Sequence, residues 1–296
     1  MMSQDNADVV SATVRRWQLT ETLRQLRERA GLTIDQAVEQ LRTAKVGKWS
    51  RSKISRIENR EQSVQSHEVG VLLDLYQVTD MELRIWLLDL AVNAHERGYW
   101  QTIRKDHPEG FHGFLSVEAA LVGLRQFETM LVPGLLQTID FARSVINGVN
   151  PGLAADVVER RVMARMARQQ VLTRVNPLRY HVILDESVLE RPVGGPAVMR
   201  GQLFGLVDKA KADHITLQVL PKATGASPGL VGPFSILTLP DPIPDFGYAE
   251  GPGGAAYIED RSKVRTCTLR WGILTERALT QADSVSLIAE AANGYP

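Results

Sequence analysis

The chain has 296 residues, 44% of them hydrophobic, which is enough for two domains of about 100 to 200 residues, each with a buried core. Lysine plus arginine and aspartate plus glutamate both number 34, so a local excess of either sign is placed rather than inherited from a basic or acidic protein. The lone Cys267 excludes an internal disulfide framework and a multi-cysteine zinc site, while the absence of a signal-like N-terminus or of a run near the ~20 apolar residues of a membrane span predicts a soluble cytoplasmic chain with no membrane partner.

Past roughly ten residues expected to fray, Leu19, Leu23, Leu26 and Ala30 recur at the spacing of one buried helical stripe. Gly31 is placed to end that helix as a C′ glycine. Thr33 and Gln36 form a capping box for a second helix, whose apolar side is Ala37, Val38 and Leu41. A third, over 50–59 in the stretch WSRSKISRIEN, has Ser50 as its N-cap, and Trp49 and Ile54 stand at the two positions of a hydrophobic staple. Ile54 and Ile57 share one side of it; Arg51, Ser52, Lys53 and Arg56 fall on the others. From 42 to 60 the chain carries Arg42, Lys45, Lys48, Arg51, Lys53, Arg56 and Arg60 against Glu58 alone, the charge pattern of a phosphate-facing surface. The plain alternative is a solvated basic face. Ser66 is expected to cap a fourth helix with Val69, Leu72, Leu73 and Tyr76. A Thr79–Glu82 capping box is expected to open a fifth, with Leu83, Trp86, Leu87, Leu90 and Ala94.

The runs LRQLRERAGLT, KWSRSKISRIEN and VGVLLDLYQV resemble the DNA-binding domain of lambda-repressor-like (Xre-type) transcription regulators. The resemblance implies a mainly α, five-helix helix-turn-helix domain over 14–97 that reads the major groove of a double-stranded DNA operator, as a homodimer. Position by position it implies that Ser50 caps the reading helix and touches phosphate, that Arg51, Ser52 and Arg56 read bases, and that Lys53 contacts a base or phosphate. Arg42, Lys45 and Lys48 in the long loop, with Thr33, complete the expected DNA-binding set, the loop lysines acting on phosphates without regard to sequence. Two positions depart from the family pattern. Arg60 stands where members carry glycine, which needs either a strained turn or a rerouted one, and Ile34 stands where they carry a polar residue.

The half over 98–296 reads as α+β with a small sheet. Helices are predicted over 117–127, through Phe141 and Val145, over 153–174 and 197–212, and at 263–279 and 284–292. Short β-branched or apolar runs at 180–184, 216–220, 234–239 and 256–258 read as strands. The segments FETMLVPGLLQT, ERRVMARMARQQVL, DESVLERPVGG, LQVLP and GPFSILTLPDP resemble a domain of unknown function that follows the Xre-type domain in many actinobacterial regulators, the WhiJ-like proteins among them. Members are often encoded beside a small partner protein in pairs similar to toxin–antitoxin systems. That implies an antitoxin-like regulator whose C-terminal domain binds a small acidic partner or mediates dimerisation.

Arg161, Arg165 and Arg168 fall at i, i+4 and i+7 opposite Val162 and Met166, a basic stripe that is a solvated face, a dock for an acidic partner or a second DNA contact. Asp185, Glu186, Asp241, Asp245 and Glu250 would serve catalysis only if they converged, and Asp185 can equally cap a helix holding Val188 and Leu189. His107 and His112 lack a third ligand, and the glycines of 251–254 suit a hairpin better than a phosphate cradle. No catalytic residue, metal or cofactor is therefore assigned. Two readings remain for the C-terminal half: a partner-binding surface, or a sensor domain that encloses a small molecule and controls DNA binding.

Overall fold

The computed structural model describes residues 12–93, 117–251 and 254–296. Contacts divide the chain into two units, Met1–Gln101 with Pro240–Pro244, and Thr102–Leu239 with Asp245–Pro296, and each is described by itself. The predicted start of the second domain at 98, Ala94, His107 and His112 lie outside the described residues.

The first unit is helical: α1 (Ala12–Arg29), α2 (Ile34–Thr43), α3 (Arg51–Glu58), α4 (Ser66–Leu75) and α5 (Met81–Asn93). Gly31 ends α1 with a φ of +70°, and no atom lies within 4 Å of where a Cβ would sit, so backbone conformation rather than space calls for glycine there. The Thr33–Gln36 capping box forms in both directions, at 3.2 and 2.8 Å. Two expected caps move by one residue. Gln65 precedes α4, its N–H donating to Glu68 Oε2, because Ser66 is already helical. Asp80, not Thr79, caps α5, its Oδ1 accepting from the N–H groups of Glu82 and Leu83. Leu19, Leu23, Leu41, Ile54, Ile57, Leu72 and Leu87 meet in one core.

The second unit is α+β around a six-stranded mixed sheet. Its elements are β1 (Gly123–Glu128), α6 (Ile139–Val149), α7 (Ala155–Arg168), β2 (Arg179–Asp185), α8 (Pro196–Lys209), β3 (Ile215–Leu220), β4 (Phe234–Thr238), β5 (Phe246–Gly251), β6 (Gly254–Ile258), α9 (Arg261–Arg277) and α10 (Gln281–Gly294). Strand order is β3-β2-β1-β4-β5-β6, with β1, β2 and β3 parallel and the remaining pairings antiparallel. The sheet is larger than expected by β1 and β5. The helix predicted over 117–127 stops at 118, and Phe127 lies in β1, paired with Ile183 on one side and Phe234 on the other. Val117, Leu121, Leu124 and Phe127 imitate helical spacing, but the last two belong to opposite faces of a strand. β5 and β6 form a hairpin, Gly251 pairing with Gly254, so the hairpin partner of β6 is β5 and not the strand predicted over 234–239.

Strand alternation sorts this sheet into two chemistries. Phe127, Ile183 and Ile236 pack with Trp271, Leu274 and Cys267 of α9. Gln126, Glu128 and Tyr180 alternate with them and point to the other face. The Tyr180 hydroxyl donates to Gln126 Oε1 at 2.6 Å, and Gln126 Nε2 donates to Glu128 Oε1 at 2.8 Å.

Candidate nucleic-acid interface and a cavity in the second unit

α3 is held from behind. Ile54 and Ile57 are each 1% exposed, and burial of such side chains stabilises by about 1.5 to 3 kcal/mol apiece, more than the exposed ion pairs around the helix can offer. Glu58, on the same side, is buried and doubly bonded to Arg27 of α1, with Nε to Oε1 at 2.7 Å and Nη2 to Oε2 at 2.8 Å. Arg27 Nη1 also donates to the Leu32 carbonyl at 2.6 Å. The carboxylate that alone offset the basic run is thus withdrawn from the surface, and its hydrogen bond raises the Arg27 pKa.

Ser50 Oγ accepts from the Lys53 N–H at 3.2 Å and starts the helix as expected. Ser52 and Arg56, four residues apart and both exposed, occupy the side of α3 opposite Ile54 and Ile57. Arg51 is exposed but lies on the flank towards α2, where Nη1 meets Asp35 Oδ2 at 3.0 Å. Lys53, expected to contact a base or phosphate, lies over the Trp49 ring, 4.5 Å from the centroid, and is ion-paired with Glu68 of α4. That pair and the Gln65 N–H hold the Glu68 carboxyl below its ordinary range against the opposing effect of burial. Arg60 takes the strained alternative, with a φ of +66°, its guanidinium 4.9 Å from the Trp17 ring centroid and 3.9 Å from Glu21. Arg42, Lys45, Lys48 and Thr33 are all exposed, Arg42 within 3.6 Å of Glu39. The outward surface is therefore Ser52 and Arg56 at the centre, flanked by Arg51 and the loop cations.

The arginines of α7 do not form the exposed stripe expected of them. Val158 and Val162 pack against Ile146 of α6, which turns the arginine side towards the sheet. Arg168 is buried and doubly bonded to Glu118, both contacts at 2.7 Å. Arg165 Nη1 donates to Gln137 Oε1 at 3.0 Å, and Arg161 Nε is buried with no hydrogen-bond partner among the described residues. Arg161 and Arg165 are half-buried and Arg168 is buried, so the stripe is not a fully solvated face.

Arg165 and Arg168 face a cavity of about 370 Å³. Its floor is the sheet face with Gln126, Glu128, Tyr248 and Glu250; its roof is Arg165 and Arg168; its apolar wall is Val132, Leu135, Val145 and Val149. The Tyr248 hydroxyl donates to Glu250 Oε1. Glutamine side chains fix the wall segment. Gln137 Nε2 donates to the Val132 carbonyl at 2.7 Å, Gln169 Nε2 to the Gln137 carbonyl at 2.7 Å and Gln202 Nε2 to the Leu136 carbonyl at 2.9 Å. Neither the cavity nor its glutamine clamps had a signal in the sequence, because β1, β5, α7 and the segment near 134 meet only in the fold.

Burial pushes the Glu128 carboxyl up to about 7, with the charge of Glu250 adding and the Gln126 hydrogen bond opposing. An acid whose folded pKa is raised adds stability below its unfolded value and loses it as pH rises through the folded one. The second unit should therefore lose about 2 kcal/mol between pH 5 and pH 8 from this group, after allowing for its partial exposure. His181, held below its ordinary range chiefly by burial, acts in the opposite sense. The informative quantity is the difference between the wild type and Glu128→Gln in chemical denaturation. The variant should gain on the wild type across that range, and parallel pH curves would mean that Glu128 is not desolvated.

Of the carboxylates considered for catalysis, Asp185 Oδ1 caps the turn at Ser187, Glu186 accepts from the Lys222 N–H, Asp245 pairs with Arg125, and Glu250, on the cavity floor, accepts from Tyr248. Among the described residues no group of three His, Cys, Asp or Glu could hold a metal, and no helix is long and apolar enough to cross a membrane.

Residues 18–86 match the family described as a helix-turn-helix domain, and residues 111–290 match the one described as a domain of unknown function (DUF5753). No curated protein and no solved structure matches the chain. The first match supports a DNA-binding regulator.

Proposed function

Because the chain belongs to the DUF5753 family and carries a helix-turn-helix domain ahead of that region, we propose that it is a sequence-specific transcription regulator of the Xre type, and not an enzyme, that reads an operator in the major groove with α3. The observation that carries this reading is the outward face of α3, where Ser52 and Arg56 stand clear while Glu58 is withdrawn behind the helix by Arg27. Binding as a homodimer is supported by the exposed apolar side chains of α5, Met81, Ile85 and Val92, which a second copy would cover.

The test is a titration of the full chain on the promoter of its own gene at several salt concentrations. Affinity should fall steeply with salt, and Lys45→Ala and Lys48→Ala should each flatten the log–log slope by about 1 without changing sequence preference. Two chains should be bound per operator. No affinity above that for unrelated DNA would end the reading, and unchanged slopes would remove the loop from the interface.

For the C-terminal unit, the cavity favours a sensor that binds a small molecule. An antitoxin-like pairing with a small acidic protein is what the resemblance to WhiJ-like regulators implies, and half-buried Arg161 and Arg165 with buried Arg168 offer it little exposed basic surface.

A further inference from the structure

We propose that the cavity between the β1–β5 face and α7 binds a small carboxylate with an apolar body, its carboxylate held by Arg165. This deepens the sensor reading and rests on it for any effect on DNA, though not for binding itself.

The charge arrangement carries the argument. α7 brings Arg165 and Arg168 to one side of the cavity, with Arg161 near Arg165, and Glu118 neutralises Arg168 through both carboxylate oxygens. Arg165 has no directly paired counterpart: its hydrogen-bond partner is the neutral Gln137, no ion pair holds it among the described residues, and Glu250 and Glu118 act on it only at longer range. A guanidinium in a partly closed, partly apolar site beside two others is costly unless an anion joins it. Burial first, then the neighbouring Arg168, lower its pKa to about 10, with the charges of Glu250 and Glu118 opposing.

The floor does not oppose an anion as strongly as its two glutamates suggest. Burial raises the Glu128 carboxyl to about 7, so it is partly protonated near neutral pH and its second oxygen can then donate to a ligand, and the Tyr248 hydroxyl donates to one oxygen of Glu250. Val132, Leu135, Val145 and Val149 offer an apolar surface beside Arg165. Its volume, about 370 Å³, falls at the small end of ligand cavities, and the glutamine clamps hold one wall in place before any ligand arrives. An apolar slot with a guanidinium at its side that no carboxylate pairs with directly selects an amphiphilic monocarboxylate over a neutral or cationic molecule of the same length.

The experiment uses the full chain and three probes of equal length: octanoate, octan-1-ol and octylamine. Calorimetric titration and thermal shift should show octanoate binding at least about tenfold more tightly than the other two. Arg165→Met should remove that preference, and Val149→Trp, at an exposed position on the cavity wall, should weaken all binding without touching the charge. Equal binding of octanoate and octanol, stronger binding of octylamine, or an octanoate preference that survives Arg165→Met would each overturn the assignment. Repeating the operator titration with octanoate present separates the two levels. Octanoate binding that leaves operator affinity unchanged upholds the site and ends the sensor reading, whereas an absence of octanoate binding ends the site and leaves the DNA-binding reading intact.

Discussion

Glu58→Ala is expected to destabilise the first unit by about 3 to 5 kcal/mol, because it leaves the Arg27 guanidinium buried beside α3 without its carboxylate. The two side chains are only 9% and 6% exposed, so water cannot replace the lost partner. Exposed pairs such as Arg51–Asp35 are worth under about 1 kcal/mol, and their loss should pass unnoticed in the same assay. A second variant separates the worth of the pair from the penalty of orphaning one member. Arg27→Met with Glu58→Leu replaces two charges by apolar groups of similar length and should recover most of the loss. Chemical denaturation of both variants decides the matter. A cost below about 1 kcal/mol for Glu58→Ala would mean that the pair is wet and that α3 is held by Ile54 and Ile57 alone. A second consequence concerns position: the pair ties α3 to α1, so Glu58→Ala should also weaken operator binding although Glu58 itself faces away from DNA.

Most of the first unit was legible because its signals are local. Thr33 with Gln36, Gly31 and Ser50 each act within four residues, and the buried stripes follow from helical spacing. The roles of the charges were less legible, since a sequence shows a residue's charge but not its partner. Glu58 looked like a counter-charge within the basic run and is the buried anchor of α3; Lys53 looked like a DNA contact and is held by Trp49 and Glu68. Both partners lie on other helices, outside any window of local spacing. In the second unit the same limit acted on the strands. β1 shows helix-like apolar spacing because residues of both sheet faces are buried, and β5 reads as a loop because its Gly247 and Gly251 resemble turn punctuation. The arginine stripe was read correctly as one face of α7 and wrongly as a surface, since spacing does not say what a face meets.

Arg56→Ala is expected to weaken operator binding about 5- to 150-fold and to relax preference at one base pair, the loss of about 1 to 3 kcal/mol that a bidentate arginine–guanine contact provides. The geometry ranks this residue above Arg51. Arg56 points from the centre of the exposed side of α3, and its tether is a single 3.3 Å hydrogen bond from Nε to the Ser52 carbonyl, which DNA can displace. Arg51 leans to the flank and must first leave Asp35. Arg51→Ala should therefore cost less and alter affinity more evenly across sequences, while Asp35→Ala, by removing that competitor, should tighten binding to all DNA. Lys53→Ala serves as the contrast: it removes the Glu68 pair and the contact with Trp49, so any loss should appear in stability before it appears in base preference. The check is a binding titration of each variant on the operator and on single-base substitutions of it, at one fixed salt concentration. If Arg56→Ala lowers affinity equally for every sequence, Arg56 touches phosphate, and base reading must pass to Ser52 and Arg51. If it changes neither affinity nor preference, α3 is not the reading helix.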